Sequence, residues 1–322
     1  MSIKSGLTVG LPEIDSWRES AHRFDDDQVL ALEASRLSGR PLLVRGEPGL
    51  GKSQIARAFA TVNNWRLITT VVNARTEIED LLYSIDHVSR LSDANQVVLR
   101  EGLARVSTAS DEIEDLSEPL AIQGYIHRGP VWNALEPIVD SKDNRPGDPR
   151  EGTVLLVDEI DKAHPDVPNA LLEVLNSMSF TVPQTGETIT GRRDKLFVVI
   201  TANDERPLPS AFLRRCAVLT LSLGSEPEKR LVNIARAHRD AGLLSAIDDE
   251  GIFEKAAEIT VTYRNGITAP HYRPGTSEFL DLLRVVNAKL ASETMSEADI
   301  DTIMSKMSTF LIQKDFYSDD GD

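Results

Sequence analysis

The chain has 322 residues, 41% hydrophobic and 27% charged, the profile of a globular protein with room for a sizeable core and more than one domain. Its 51 acidic against 35 basic residues leave a net charge of −16, which argues against non-specific nucleic-acid binding and against an anionic membrane surface. A single cysteine, Cys216, excludes an intrachain disulfide and a cysteine-cluster zinc site, and the six histidines are scattered without metal-ligand spacing.

No apolar run approaches the roughly 18 residues of a membrane span. The N-terminal segment lacks the uninterrupted apolar core of a signal peptide, so the expected location is cytoplasmic. "DDDQVLALEASRLSG" (25–39) has acids at its start, periodic apolar positions and a closing glycine, the pattern of a helix. "PLLVR" (41–45) is a short continuous apolar run, as in a buried parallel strand.

"GEPGLGKS" (46–53) follows at once, with the spacing Gly46-x-x-x-x-Gly51-Lys52-Ser53. Glycine and proline this dense weaken any regular element, so the stretch reads as a special turn whose backbone N–H groups wrap a phosphate chain. Gly46, Glu47, Pro48, Gly49, Leu50, Gly51, Lys52 and Ser53 would form the cradle. Lys52 would reach the outer phosphates, and the Ser53 hydroxyl would ligate Mg²⁺ at the start of a helix. An ordinary glycine-rich turn is the bland alternative, but "KSQIARAFATV" (52–62) supplies the helical spacing that the phosphate loop requires.

Four more apolar runs, at 66–72, 153–159, 195–203 and 217–223, predict an α/β region with a mostly parallel sheet. About 80 residues separate the second run from the third, more than one crossover helix needs; they hold a helical candidate (94–106), an acidic stretch (111–118) and a polar loop (140–152). "SFTVPQTGETITGRRDKLF" (179–197) alternates around a Gln-Thr-Gly turn and predicts a hairpin inserted before the fourth strand. The resulting division is an α/β nucleotide-binding core at 1–224, helices at 225–317 and a disordered tail at 318–322.

"TVLLVDEID" ends a strand in two adjacent carboxylates, Asp158 and Glu159, which would face the loop from a neighbouring strand. Asp158 would hold the Mg²⁺ shell together with Ser53, and Glu159 would polarise the attacking water. Asn203 ends the fourth run and could orient that water. Arg214 and Arg215 precede the fifth, placed to act on a neighbouring subunit's nucleotide as an arginine finger. Arg273 lies before a helix beginning "GTSEFLDLL", with Thr276 or Ser277 as its cap, and could reach the phosphates if that region folds over the site. Ordinary capping and surface salt bridges would also account for each of these residues taken singly.

Together they resemble AAA+ ATPases, and specifically the MoxR-like branch. "GPVWNALE" (129–136), "LLVDEIDKAHPDVPNALLEVLNS" (155–177), "ITAN", "LPSAFLRR" and "YRPGTSEFLDLL" follow in that family's order, over roughly residues 20–290. The resemblance implies an AAA+ P-loop core with a parallel five-stranded sheet, a helix-2 insert and a presensor β-hairpin, then an all-helical lid domain. Lys52 and Ser53 take the Walker A positions, Asp158 and Glu159 Walker B, Asn203 sensor 1 and Arg273 sensor 2. Where the family reads Leu-Asp-Arg-Phe, this chain has Leu213-Arg214-Arg215-Cys216, which puts Arg215 in the finger's column. Asn73 resembles the polar switch that restrains the catalytic glutamate.

By the same resemblance the protein is expected to be a Mg²⁺-dependent ATP hydrolase that forms a homo-oligomeric ring, commonly a hexamer. It would remodel a protein client together with a separate von Willebrand factor A domain partner. A nucleic-acid motor of the helicase or clamp-loader kind is the alternative; the acidity opposes it, although "GRRDK" on the hairpin offers basic contacts. A metabolic kinase would need an acceptor pocket for which the sequence has no sign.

Overall fold

The computed structural model describes residues 3–14, 17–106, 121–136, 151–203, 205–266 and 273–313. The acidic stretch 111–118, nearly all of the polar loop 140–152 and the tail 318–322 lie outside them. In chain order the elements begin with the strands β1 (Thr8–Leu11) and β2 (Ser20–Arg23), helix α1 (Asp26–Ser38), strand β3 (Leu42–Arg45), helix α2 (Lys52–Asn63) and strand β4 (Arg66–Val71). Next come α3 (Ile78–Leu82), β5 (Tyr83–Ile85), α4 (His87–Val106), β6 (Ile126–Arg128), α5 (Pro130–Leu135), β7 (Thr153–Asp158) and α6 (Asp166–Ser177). A hairpin of β8 (Ser179–Thr181) and β9 (Thr188–Thr190) leads to β10 (Leu196–Ala202), α7 (Ser210–Leu213) and β11 (Ala217–Thr220). The helices α8 (Pro227–Asp240), α9 (Glu250–Gly266), α10 (Thr276–Ser292) and α11 (Glu297–Ser308) complete the described chain.

β11, β3, β10, β7 and β4 form one five-stranded sheet in that order, and every pairing in it is parallel. Alternate residues point to opposite faces, and both faces are covered. Leu42 and Val44 of β3, with Leu156 of β7, pack toward α1 and α2, whereas Leu43, Leu155 and Val157 pack toward α5 and α6. This two-sided burial is why the strands read as unbroken apolar runs. Beyond Leu223 a separate cluster, including Leu231, Phe253, Phe279, Leu283 and Met304, forms the core of the C-terminal helical region.

Local chemistry sets the element ends. Asp25 accepts the Gln28 N–H at 2.8 Å and caps α1, which stops at Gly39 in the left-handed region, φ 67°. The expected hairpin forms as β8–β9, with Phe180 opposite Ile189. The predicted helix at 94–106 is the C-terminal part of the longer α4. The helix begins seven residues earlier than expected, at His87, where Asp86 accepts the Ser89 N–H at 2.8 Å. The cap of α10 is Gly275, one residue before Thr276 and two before Ser277, the two expected caps.

The β1–β2 hairpin is clamped onto α2 by Arg57. Its guanidinium is buried, donates to the Pro12 carbonyl at 2.7 Å and stacks 4.9 Å from the Trp17 ring centre. No helix among the described residues is long and apolar enough to cross a membrane.

Candidate functional site

The strand order brings three distant pieces of chain to one end of the sheet. The loop leaves the carboxyl end of β3, Asn203 follows β10, and Asp158 ends β7 with Glu159 just after it. β7 is not the neighbour of β3, as the sequence had suggested; β10 lies between them and pairs with both. That central position lets residues at the end of β10 touch both partners.

The loop turns tightly on its glycines. Gly46 has φ 139°, and a Cβ there would stand 2.4 Å from the Leu221 carbonyl oxygen, so no side chain fits. Gly51, φ 82°, turns the chain into α2. Lys52 is buried, and its ammonium donates to the Gly46 and Glu47 carbonyls at 2.7 and 2.8 Å, which holds the charge inside the bowl of the loop. Ser53 Oγ donates to the Asp158 carboxylate, 2.9 and 3.0 Å from its two oxygens. The residues expected to hold phosphate and Mg²⁺ are therefore together.

Glu159 takes the left-handed conformation, φ 61°, which a non-glycine residue adopts only when its surroundings hold it there. Its carboxylate is held on both oxygens, by Lys162 Nζ at 2.9 Å and by Asn203 Nδ2 at 3.3 Å. The hydrogen bond to Glu159 raises the Lys162 pKa, so the ammonium stays charged across the neutral range. Asn73 sits apart: its side chain accepts the Arg75 N–H at 2.8 Å and closes its own turn.

Arg214 and Arg215 are exposed after α7, and neither side chain makes an ion pair among the described residues. Ala217 pairs with Leu42, the first residue of β3, so Arg215 lies toward the amino end of the strands, opposite the loop of its own chain. The Cys216 thiol between them and β11 is buried and pushed up to about 12, an inert group at neutral pH. Arg273 stands 3.5 Å from the Glu47 carboxylate, at the mouth of the loop.

Three groups escaped the sequence reading. Thr201, inside "VVITA", donates to Asp158 and accepts the Glu159 N–H at 3.0 Å. Asp161 accepts the N–H groups of Asn203 and Glu205, both at 3.1 Å. Arg264 of α9 pairs with Glu47. Of these only Asp161, two residues beyond the paired acids, carried a positional hint. Beside the loop, a cavity of about 430 Å³ is bounded by His22, Phe24, Leu50, Gln54, Ile234 and Thr276. The C-terminal helical region closes directly on the loop there, through the Ser277 N–H to the Gly49 carbonyl at 3.1 Å.

A parallel sheet in this order, with a phosphate-type loop after one inner strand and paired acids after another, defines a P-loop nucleotide-binding protein. The family model for the AAA domain (dynein-related subfamily) matches residues 41–216, more than half of the chain. The chain belongs to this family of AAA+ ATPases. It is 27% identical over 238 residues to the chaperone protein ClpB of Enterococcus faecalis, and 25% identical over 242 residues to that of Lactococcus lactis subsp. cremoris. Those matches cover 73% and 74% of this chain, which spans only 22% of the length of either relative. A mutant of RuvB from Thermotoga maritima has a similar fold, with a TM-score of 0.50 at 16% identity, over 89% of this chain and 70% of that one.

Proposed function

We propose that the protein is a Mg²⁺-dependent ATP hydrolase of the MoxR-like kind that works as a homo-oligomeric ring, a hexamer, on a protein client. The observation that carries the reading is the convergence of Ser53, Asp158, Glu159 and Asn203 within one hydrogen-bonded set behind the loop. Lys52 and the loop N–H groups would bind the phosphates, and the cavity beside Leu50 and Gln54 would take the base. The hydroxyl of Ser53 and the carboxylate of Asp158 are hard oxygen donors of the type Mg²⁺ uses alongside phosphate and water. Bound Mg²⁺ would supply charge neutralisation at the phosphates. Glu159 would accept the proton of the attacking water, and Asn203 would hold that carboxylate and the water in line.

Residues 1–224 would serve as the nucleotide-binding core and 225–317 as the lid. Arg273 would read the phosphates from the lid, and Arg215 would act on the nucleotide of the next subunit. A protein client fits the chaperone relatives and the net charge of −16. The von Willebrand factor A domain partner would be a separate chain. A nucleic-acid motor is less well supported. Of the basic residues on the hairpin stretch, Arg192 is engaged by Asp194, and Arg193 donates to the Gly39 and Asn176 carbonyls.

The test is a pair of variants assayed for ATP binding and phosphate release. Lys52→Ala should lose nucleotide affinity, since an alkyl stub cannot contact the outer phosphates. Glu159→Gln should bind ATP and lose turnover by orders of magnitude. Wild-type turnover in Glu159→Gln would remove the assignment.

A further inference from the structure

Thr201 is the penultimate residue of β10 and is fully buried, the one hydroxyl in a strand that otherwise reads as apolar residues, LFVVITA. The Glu159 N–H can only donate, so the 3.0 Å contact makes Thr201 Oγ1 an acceptor there. The single hydroxyl proton is then free for Asp158 Oδ1, the oxygen that also receives Ser53 Oγ at 2.9 Å. One hydroxyl thus joins two consecutive residues whose backbones diverge. Asp158 ends the extended strand, and Glu159 turns at once into the left-handed region.

That turn sends the two carboxylates to different tasks, one toward Ser53 and the other toward Lys162 and Asn203. L-residues resist this conformation, so it persists only where the surroundings determine it. The Thr201 hydroxyl is the group that accepts the turning N–H and at the same time sets the rotation of the Asp158 carboxylate. We propose that Thr201 is a positioning residue for hydrolysis. It couples the carboxylate on the cation side of the site to the backbone that aims the general base. The inference rests on the roles given above to Asp158 and Glu159.

Thr201→Val keeps the shape and removes both hydrogen bonds; Thr201→Ser keeps the hydroxyl and loses a methyl. Steady-state ATP hydrolysis, a fluorescent ATP analogue for affinity, and a Mg²⁺ titration should be run on both, beside Glu159→Gln. Thr201→Val should lose about 10- to 100-fold in kcat, the usual effect of removing a group that orients a ligand residue, with a rightward Mg²⁺ midpoint. Its nucleotide affinity should stay within roughly threefold, because loop and cavity are untouched. Thr201→Ser should stay within roughly threefold of wild-type kcat. If Thr201→Ser is as impaired as Thr201→Val, side-chain volume and not the hydroxyl matters, and the inference falls. If the valine variant does not fold, a Thr201→Ser kcat about tenfold or more below wild type overturns the inference by itself. If Glu159→Gln is dead and Thr201→Val turns over normally, the inference fails alone; if Glu159→Gln hydrolyses like wild type, the reading beneath it fails too.

Discussion

Glu47, the second residue of the glycine-rich loop, is ion-paired to Arg264, a residue of α9 that lies 217 positions further along the chain. Arg264 is mostly buried and also donates to the Pro274 carbonyl at 3.1 Å, while Arg273 approaches the other Glu47 oxygen at 3.5 Å. Two guanidiniums on one loop carboxylate fasten the C-terminal helical region over the mouth of the loop. Arg264 should carry more of this than Arg273, whose side chain is 46% exposed. Arg264→Ala should destabilise by about 1–3 kcal/mol, the range for a hydrogen-bonded charge left without its partner. Arg273→Ala should cost about 0–1 kcal/mol, as exposed pairs do. Its effect should appear in the response to ATP, as a raised KM. Urea unfolding of both variants together with ATP kinetics checks this; equal stability losses would contradict the ranking.

A second prediction concerns Asp161. One of its oxygens accepts two backbone N–H groups, of Asn203 and Glu205, and the other is buried without a hydrogen bond. Such a carboxylate stays buried because the N–H groups it serves would otherwise be left unpaired. Asp161→Ala should cost about 1–3 kcal/mol, the range for taking a charged acceptor from backbone N–H groups, since Asn203 is half-buried and Glu205 is exposed to water. Since the Asn203 backbone is one of them, turnover should also fall while the fold persists below the lowered melting point. Unchanged stability would show that solvent or a neighbouring group replaces the carboxylate at little cost.

What could be read from sequence divides by how local its cause is. The strands at 42–45, 153–158 and 196–202 are buried on both faces, so their apolar runs announce them. Lys52, Ser53, Asp158 and Glu159 were legible because loop and paired acids each sit in a short, chemically distinctive stretch. The β1–β2 hairpin was not, since "TVGL" and "SAHR" have too few residues to show alternation. Thr201 was hidden because a β-branched residue in a strand needs no special explanation. Arg264 reads as a basic residue in the last turn of a helix, and only the folding of α9 onto the loop makes it a partner of Glu47. The strand order that inserts β10 between β3 and β7 is a tertiary fact with no local signature.

Two buried histidines predict a pH dependence. His238 Nε2 accepts the Ala21 N–H at 3.2 Å while Nδ1 faces the Ile234 carbonyl at 2.9 Å, so the neutral ring ties the β1–β2 hairpin to α8. His22 donates to Gln28 Oε1 at 3.0 Å. Burial is the main cause that lowers each to about 4, with Arg230 and His238 adding to it at His22 and Arg284 at His238. The unfolded chain, titrating near 6.5, then binds more protons than the folded one between about pH 6.5 and 4. The stability from these rings is fully present above pH 6.5 and is lost as pH falls toward 4, at up to roughly 1.4 kcal/mol per pH unit for each ring. Urea midpoints from pH 7.5 to 4.5 should fall, and more shallowly in His238→Gln, where the amide can still accept the Ala21 N–H. Parallel pH profiles in the two proteins would exclude His238 as a source.

The last prediction ties activity to assembly. Arg215 lies toward the amino end of the strands, opposite the loop of its own chain, with no ion pair among the described residues. An arginine there serves hydrolysis only by reaching another subunit. Specific ATPase activity should therefore rise with protein concentration as subunits meet. Arg215→Ala should bind ATP almost normally and hydrolyse it slowly, because a transition-state contact is felt in kcat more than in binding. Arg214→Ala is the control and should lose much less if that side chain is only a surface charge. The sharper experiment mixes Arg215→Ala with Glu159→Gln, each inactive by itself. In a mixed ring some interfaces join an intact Glu159 to an intact neighbouring Arg215, and part of the activity should return in proportion to their frequency. If mixed assemblies form, as followed by differently tagged subunits, and no activity returns, Arg215 does not act across the interface.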